Sequence, residues 1–482
     1  MIFWKLSNFS KTERLTLGDL MKNIDIIDIL TNGKDYEGKS VVVAGWARTA
    51  RDSKTMAFVA LNDGTSLRHL QIVIDKANFD ATEIAKCLKN GASLLVTGKV
   101  VPAMNQGDYE INAESIELLG DCPSDYPLQK KYHSLEFLRT IPHLRVRTNT
   151  FNAMLRVRSK LSFAIHRFFQ ENGYTYIHTP IITGSDCEGA GEIFHVTTHN
   201  YESAKLSKDE AEYMANDFFR RKAGLTVSGQ LEGEVAAMAM GKIYTFGPTF
   251  RAENSNTPRH AAEFWQVEPE VAFAKLPDII NIAESMIKTI IKAVLDECPE
   301  EIAFFEKAFE SGLREKLTSV VESEFKVLDY SEAIEILKNS GEKFVYPVEW
   351  GLDLQSEHER YITEKVFNKP VFVINYPKHI KSFYMKQNDD GRTVAATDLL
   401  VPGVGEIIGC SEREADYDKL KQAMVDRNMN LDDYVGYMDL RKYGSVPHSG
   451  FGLGLERIMM YVTGIVNIRD VQLYARTTGD LM

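Results

Sequence analysis

Between residues 36 and 120 the apolar residues come in short runs, each closed by a turn signal. Ser40–Trp46, Ala57–Leu61, Leu70–Ile74 and Ser93–Thr97 are rich in β-branched and apolar side chains, and Asn62-Asp63-Gly64, Asn90-Gly91 and Gln106-Gly107 punctuate them. That pattern predicts strands, with a fifth over Tyr109–Leu119 and a helix over Ala81–Lys89 between the third and fourth. Five short strands with one interposed helix fit a small Greek-key barrel of the OB type, and the pattern alone fits other small barrels as well. The turn-rich stretch from Asp121 to Pro127 closes this region.

From about residue 150 the period changes. Leu155, Val157, Leu161, Ile165, Phe168 and Phe169 recur at helical spacing and stop at Asn172-Gly173. A strand over Tyr174–Ile177 runs into Pro180, and alternating strands follow, broken by predicted helices near 277–297, 300–320, 331–339 and 415–428. The expectation is α+β: an N-terminal barrel followed by a larger domain built on an antiparallel sheet flanked by helices. The boundaries read from sequence are an N-terminal extension over 1–35, a barrel over 36–120, a hinge over 121–148 and the large domain over 149–482.

A chain of 482 residues is long for one core, which agrees with two domains. No apolar run reaches the ~18 residues that span a bilayer, and the first twenty residues lack the apolar stretch of a secretory signal. The five cysteines, Cys87, Cys122, Cys187, Cys298 and Cys410, form no Cys-x-x-Cys pair. A disulfide framework and a zinc site are therefore not expected, and a reducing cytoplasm is. The net charge of −12 argues against nucleic acid as a partner. The distribution argues the other way, because residues 129–160 carry Lys130, Lys131, Arg139, Arg145, Arg147, Arg156, Arg158 and Lys160 against Glu136. Such a stripe can neutralise phosphates, or its members can pair with acids elsewhere in the fold.

Three segments carry chemistry. In Phe250-Arg251-Ala252-Glu253, two-residue alternation sends Arg251 and Glu253 to one side, and Phe264, Gln266 and Glu268 share a side on the strand that follows. A cation, a carboxylate and an aromatic on neighbouring strands suit phosphate, an exocyclic amine and a base ring, and they also suit a plain surface hairpin. In His448–Arg457, Gly450, Gly452 and Gly454 permit close approach of a backbone or ligand, and Arg457 falls in the first turn of a helix, where a bound anion would offset its unfavourable placement. Asp398 and Glu406 flank a glycine turn and offer two hard oxygen donors for one Mg²⁺, or are two unrelated surface acids.

In this order the segments resemble the three signature motifs of class II aminoacyl-tRNA synthetases. The helix from Arg156 with the strand to Pro180 resembles motif 1, the homodimer interface; Phe250–Glu253 with Phe264 resembles motif 2; Gly450–Arg457 resembles motif 3. The strings Asp186–Phe194, Leu225–Leu231 and Lys242–Asn256 narrow the resemblance to the aspartyl, asparaginyl and lysyl subgroup, and within it to asparaginyl-tRNA synthetases of bacterial type. The resemblance implies an OB-fold anticodon domain, ATP as substrate, Mg²⁺, L-asparagine, tRNA(Asn) and a cytoplasmic homodimer. It implies that Arg251 binds the α-phosphate, that Glu253 accepts from the adenine amine, and that Phe264 and Arg457 stack on the two adenine faces. It implies that Arg259, His260 and His448 contact the outer phosphates and that Asp398 and Glu406 hold Mg²⁺. Glu188 and Gln230 would hold the substrate ammonium and Arg413 its side chain.

Arg413 only donates, so it suits a carboxylate and an amide oxygen alike. An aspartyl-type site carries a lysine where this chain has Gly233, followed by Glu234. A carboxylate at 234 accepts from an amide NH₂ and repels a substrate carboxylate; the bland alternative is an exposed helix residue. The rival is an aspartyl-tRNA synthetase charging one or both tRNAs. In the barrel, Phe58 and Gln71 match positions that stack on and read the central anticodon base, and Glu110 a contact to the first; Phe58 as barrel core is the competing reading.

Overall fold

The computed structural model describes residues 23–104, 107–187, 193–200, 202 and 208–481. They pack as two compact units divided between Asn152 and Ala153.

In the first unit five strands close a barrel in the order Ser40–Asp52, Met56–Asn62, Leu70–Asp75, Tyr109–Gly120, Ser93–Pro102. Closure comes from the first and fourth strands in sequence, which pair from Ser40↔Lys99 to Trp46↔Ser93. Alternation fills the interior: Val41, Val43, Ala57, Val59, Leu61, Ile72, Ile74, Leu94 and Val96 are buried in one cluster. The expected helix is present at Ala81–Cys87, capped by the Asp80 carboxylate, which accepts from the Thr82 and Glu83 amides. A second helix, Ile26–Tyr36, lies in the stretch read as an extension but for its last residue, and its Ile26 and Ile29 join the barrel core.

The second unit is built on an eight-stranded sheet. Its order is Lys326–Asp329, Val371–Ile374, Ala396–Val401, Gly405–Glu412, His448–Gly454, Glu263–Ala272, Lys242–Phe250, Thr175–Tyr176. The central pairings are antiparallel and the pairing at each edge is parallel. Helix Leu276–Glu297 packs across the central strands, and helix Gln230–Met240 lies against Lys242–Phe250 and Glu263–Ala272. The segment read as one helix over 300–320 is two, Pro299–Ala308 and Leu313–Glu322. The first ends in its cap at Phe309, and Gly312, in a left-handed conformation at φ +79°, immediately precedes the second.

Half of the basic stripe is paired or buried within the fold, while Lys130 and Lys131 stay exposed. Arg156 pairs with Glu301 at 2.6 Å, Arg158 with the buried Glu456 at 2.7 Å and Lys160 with Glu297 at 3.3 Å. Arg145 is buried with its guanidinium 4.2 Å from the Phe151 ring centroid. Helical spacing alternates these cations between interior and surface, which a linear count cannot register. All five cysteines are free and buried.

Candidate active site

Two long central strands position most of the site. Antiparallel register sets Phe264 opposite Thr249, Gln266 opposite Gly454 and Glu270 opposite Gly450. Phe264, Gln266, Glu268 and Glu270 therefore run along one face of a single strand, from an open cleft to a buried interior.

The open end is a cleft lined by Arg251, Glu253, Arg259, His260, Phe264, Gln266, Glu406, Gly452, Gly454 and Arg457. The Arg251 guanidinium lies 5.4 Å from the Phe264 ring centroid. Arg457 projects from the first turn of helix Leu455–Thr463 and donates to the Glu406 carbonyl at 3.0 Å and its carboxylate at 3.2 Å. Arg259 donates to the Ser356 hydroxyl at 2.8 Å, and the His260 ring meets the Thr257 hydroxyl at 2.6 Å. Burial holds both Arg259 and His260 below their ordinary pKa values. Gln266 Oε1 is buried without a hydrogen-bond partner among the described residues. The cleft thus gathers cations, one aromatic face and a carboxylate, the donor set for a nucleoside triphosphate.

Asp398 and Glu406 lean over the same glycine. A β-carbon at Gly409 would stand 3.4 Å from Glu406 Oε1 and 3.7 Å from Asp398 Oδ1. Lys381, which the sequence reading missed, donates to Asp398 Oδ2 at 2.5 Å. Burial raises the Asp398 carboxyl, whereas Arg457 and Lys381 hold Glu406 below its ordinary value despite burial. Glu359 joins from helix Ser356–Arg360, and burial with the Glu406 and Asp398 charges pushes it up to about 7. No group of three His, Cys, Asp or Glu side chains among the described residues is arranged to hold a metal alone. Two convergent carboxylates suit a cation whose remaining ligands are phosphate oxygens.

The buried end is a polar cluster. Glu234, on helix Gln230–Met240, has 0% exposure, which excludes the surface-residue alternative. Its Oε1 accepts from Gln230 Nε2 at 3.0 Å and the Tyr437 hydroxyl at 2.8 Å, and its Oε2 from Arg441 Nη2 at 2.6 Å. Arg413 forms a two-pronged pair with Glu270, donates to the Ser411 hydroxyl at 2.6 Å, and brings its Nε within 3.9 Å of Glu234 Oε1. Burial pushes the Glu270 carboxyl up to about 7 against the pull of Arg413. Between this cluster and the cleft, Glu268 accepts from the Ser228 hydroxyl, the Gly229 amide at 2.9 Å and the Thr245 hydroxyl at 3.0 Å.

One expected phosphate contact moves. His448 is fully buried with its Nε2 3.0 Å from Glu234 Oε2, and it is not among the residues lining the cleft. It stands at the start of strand His448–Gly454, whose far end, at Gly452 and Gly454, reaches the cleft. At ~3.3 Å per residue the strand spans the difference. Glu188 lies outside the described residues. Glu270, Tyr437 and Arg441 were not read from sequence. Continued alternation from Phe264 through Glu268 was a signal for Glu270, and nothing local marked the other two.

On the barrel, Ala57, Val59 and Leu61 face the core, so Phe58 faces outward and is not a core residue. Phe58 pairs across from Val73, and Gln71 lies opposite both Ala60 and Glu110. The Gln71 amide donates to the Glu110 carboxylate at 2.7 Å. Phe58, Gln71 and Glu110 therefore share one outer face on three adjacent strands.

A five-stranded barrel, a mixed sheet with its nucleotide-type cleft and an Arg/Glu/Phe/Arg constellation define a class II aminoacyl-tRNA synthetase. Residues 134–478 match the family model of tRNA synthetases class II (D, K and N), and residues 41–119 match the OB-fold nucleic acid binding domain. The chain is 55% identical to an asparagine–tRNA ligase of Acetivibrio thermocellus over 95% of its own length and 99% of that protein's, and 54% identical to one of Clostridium tetani with the same coverage. Its fold superposes on the crystal structure of asparaginyl-tRNA synthetase from Pyrococcus horikoshii complexed with asparaginyl-adenylate, with TM-score 0.83, 33% identity, and 96% and 99% of the two chains covered. The Entamoeba histolytica asparaginyl-tRNA synthetase in complex with asparaginyl-adenylate gives TM-score 0.78 at 28% identity, covering 92% and 97%. The chain belongs to the asparagine–tRNA ligase family.

Proposed function

We infer that this chain activates L-asparagine with ATP to the asparaginyl-adenylate, then transfers it to tRNA(Asn), releasing pyrophosphate and AMP. The observation that carries the reading is the pairing of a donor, Arg413, with an acceptor, Glu234, at the buried end of strands whose open end is the nucleotide-type cleft. An amide side chain needs both kinds of partner, and a carboxylate needs donors alone.

No protein nucleophile is required. The substrate carboxylate attacks the α-phosphorus in line and pyrophosphate leaves; a terminal ribose hydroxyl of the tRNA then attacks the mixed anhydride and AMP leaves. Arg251 stabilises the charge that builds on the α-phosphoryl group, the term that positioning and electrostatics contribute most to in phosphoryl chemistry. Glu253 accepts from the adenine amine, while Phe264 and Arg457 sandwich the ring. Arg259 and His260 take the outer phosphates, and Gln230, with Glu188, takes the substrate ammonium. Asp398 and Glu406 would hold Mg²⁺, which supplies charge neutralisation of the phosphates when bound. On the barrel, Phe58 stacks on an anticodon base, with Gln71 and Glu110 reading base edges.

The chain acts as a homodimer in the cytoplasm. Supporting the dimer, Ile181, Ile182 and Trp265 are exposed apolar residues lining one groove next to the segment that resembles motif 1.

ATP–pyrophosphate exchange with asparagine and aspartate side by side tests the activity. Asparagine-driven exchange is the expected result, and exchange driven by aspartate alone would overturn the assignment. Chelation is expected to abolish exchange and added Mg²⁺ to restore it, with Asp398→Asn and Glu406→Gln needing more Mg²⁺ for half-maximal rate.

A further inference from the structure

The Glu234 carboxylate is held by side chains, and two of them come from one helix that the mechanism above does not use. Tyr437 and Arg441 stand one turn apart on helix Val435–Lys442, and both are buried. Arg441 is fixed from several sides. Its Nε donates to the Glu414 carbonyl at 2.9 Å, and its Nη2 reaches Glu234 Oε2 at 2.6 Å and the Tyr437 hydroxyl at 2.9 Å. Its guanidinium carbon lies 4.1 Å from the Tyr437 ring centroid. Neither residue lines the nucleotide-type cleft.

We propose that Arg441, backed by Tyr437, is a positioning residue for amino-acid discrimination: it keeps Glu234 ionised and aligned as an acceptor, and so sets the preference for asparagine over aspartate. The inference rests on the reading that asparagine is the substrate.

A carboxylate this deeply buried would take up a proton if left alone. The groups that face Glu234 come from four elements besides its own helix. Arg441 and Tyr437 come from the helix just described, His448 from strand His448–Gly454, Arg413 from the end of strand Gly405–Glu412, and Glu270 from strand Glu263–Ala272. Burial opposes ionisation, and the charge of Arg441, the hydrogen bond and charge of His448 and the charge of Arg413 together outweigh it. Without Arg441 the balance tips toward the protonated acid. A protonated Glu234 presents an O–H donor, which an aspartate carboxylate can accept, and loses the charge that repels aspartate, while its carbonyl oxygen remains a weaker acceptor for the asparagine NH₂. Arg413 donates to either side chain and cannot restore the difference. The sign follows: below the raised pKa of the altered site the proton is on and aspartate is tolerated; above it the proton is off and discrimination returns.

The test is ATP–pyrophosphate exchange with each amino acid, from about pH 6 to about pH 8.5, on the wild-type chain, Arg441→Gln, Arg441→Lys and Tyr437→Phe, with a thermal melt of each. In Arg441→Gln the asparagine-to-aspartate ratio of kcat/KM is expected to fall at least ~10-fold and to recover as pH rises. The wild-type ratio stays flat with pH, and Arg441→Lys, which restores the charge without the fork, recovers part of it. Tyr437→Phe removes one donor and no charge, and its ratio falls by a smaller factor, about 3-fold. If Arg441→Gln does not fold, the Tyr437→Phe result decides: an unchanged ratio overturns the proposal. So does a folded Arg441→Gln whose two kcat/KM values fall together, or a wild-type ratio that itself climbs with pH. A wild-type chain driven by aspartate instead of asparagine sinks the underlying reading, and the proposal with it; a wild-type chain driven by asparagine with an unmoved Arg441→Gln ratio sinks the proposal alone.

Discussion

At the scale of single residues, the site is organised by what glycine leaves empty. A β-carbon at Gly450 would stand 2.1 Å from Glu270 Oε1, so the bare backbone there is what admits the Glu270–Arg413 pair. The sequence pattern marked Gly450, Gly452 and Gly454 as places where something approaches closely, and for Gly450 that something is a carboxylate of the protein. Gly450→Ala is expected to dislodge Glu270 and misalign Arg413, costing about 1–3 kcal/mol of stability and most asparagine-dependent exchange, read by thermal melt and kcat/KM. Arg251 has a different kind of importance. Arg251→Lys keeps the charge and loses the planar fork, and is expected to lower kcat for exchange about 100-fold with little change in melting temperature.

At the scale of elements, strands that alternate were legible and orientation within buried clusters was not. The barrel strands announced themselves because one face is core and the other is solvent, as Ala57, Val59 and Leu61 against Phe58 illustrate. Helix Ile26–Tyr36 did not, since Asn32 breaks its helical geometry and Gly33 sits under the Tyr109 ring. The phosphate role of His448 comes from the resemblance alone; which end of a strand reaches a cleft is a tertiary fact that neighbours in sequence do not carry. Arg441 and Tyr437 gave no signal because Glu234, their partner, lies more than two hundred residues away. Elements also define local pH responses. Asp217 accepts from the Thr198 amide at 2.9 Å, the Thr198 hydroxyl at 2.8 Å and the Phe218 amide at 2.7 Å, and these bonds, the Thr198 amide foremost, hold its carboxyl well below the usual range. Because the folded pKa is depressed, the stabilisation is fully present above the ordinary carboxylate pKa of about 4 and is lost as pH falls below it. Amide-exchange protection at Thr198 and Phe218 is therefore expected to exceed that of Asp217→Asn at neutral pH, with the gap closing under acid.

At the scale of the whole molecule, recognition of nucleic acid and chemistry on the amino acid reside in units with separate cores. Changes on the barrel face should be silent in any reaction that omits tRNA. Phe58→Ala is expected to raise KM for tRNA in aminoacylation by roughly 10-fold, in line with the loss of one stacked base, and to leave asparagine-dependent exchange untouched. A fall in both would mean that the barrel supports the fold of the catalytic unit rather than only the grip on tRNA. The burial of every cysteine has a practical consequence for following such a molecule at work. With no native thiol at the surface, alkylating reagents should leave the folded chain unmodified, and one cysteine placed on the barrel and another on the catalytic unit can each carry a fluorophore without background, so that the distance between the two units can be followed through the catalytic cycle by energy transfer.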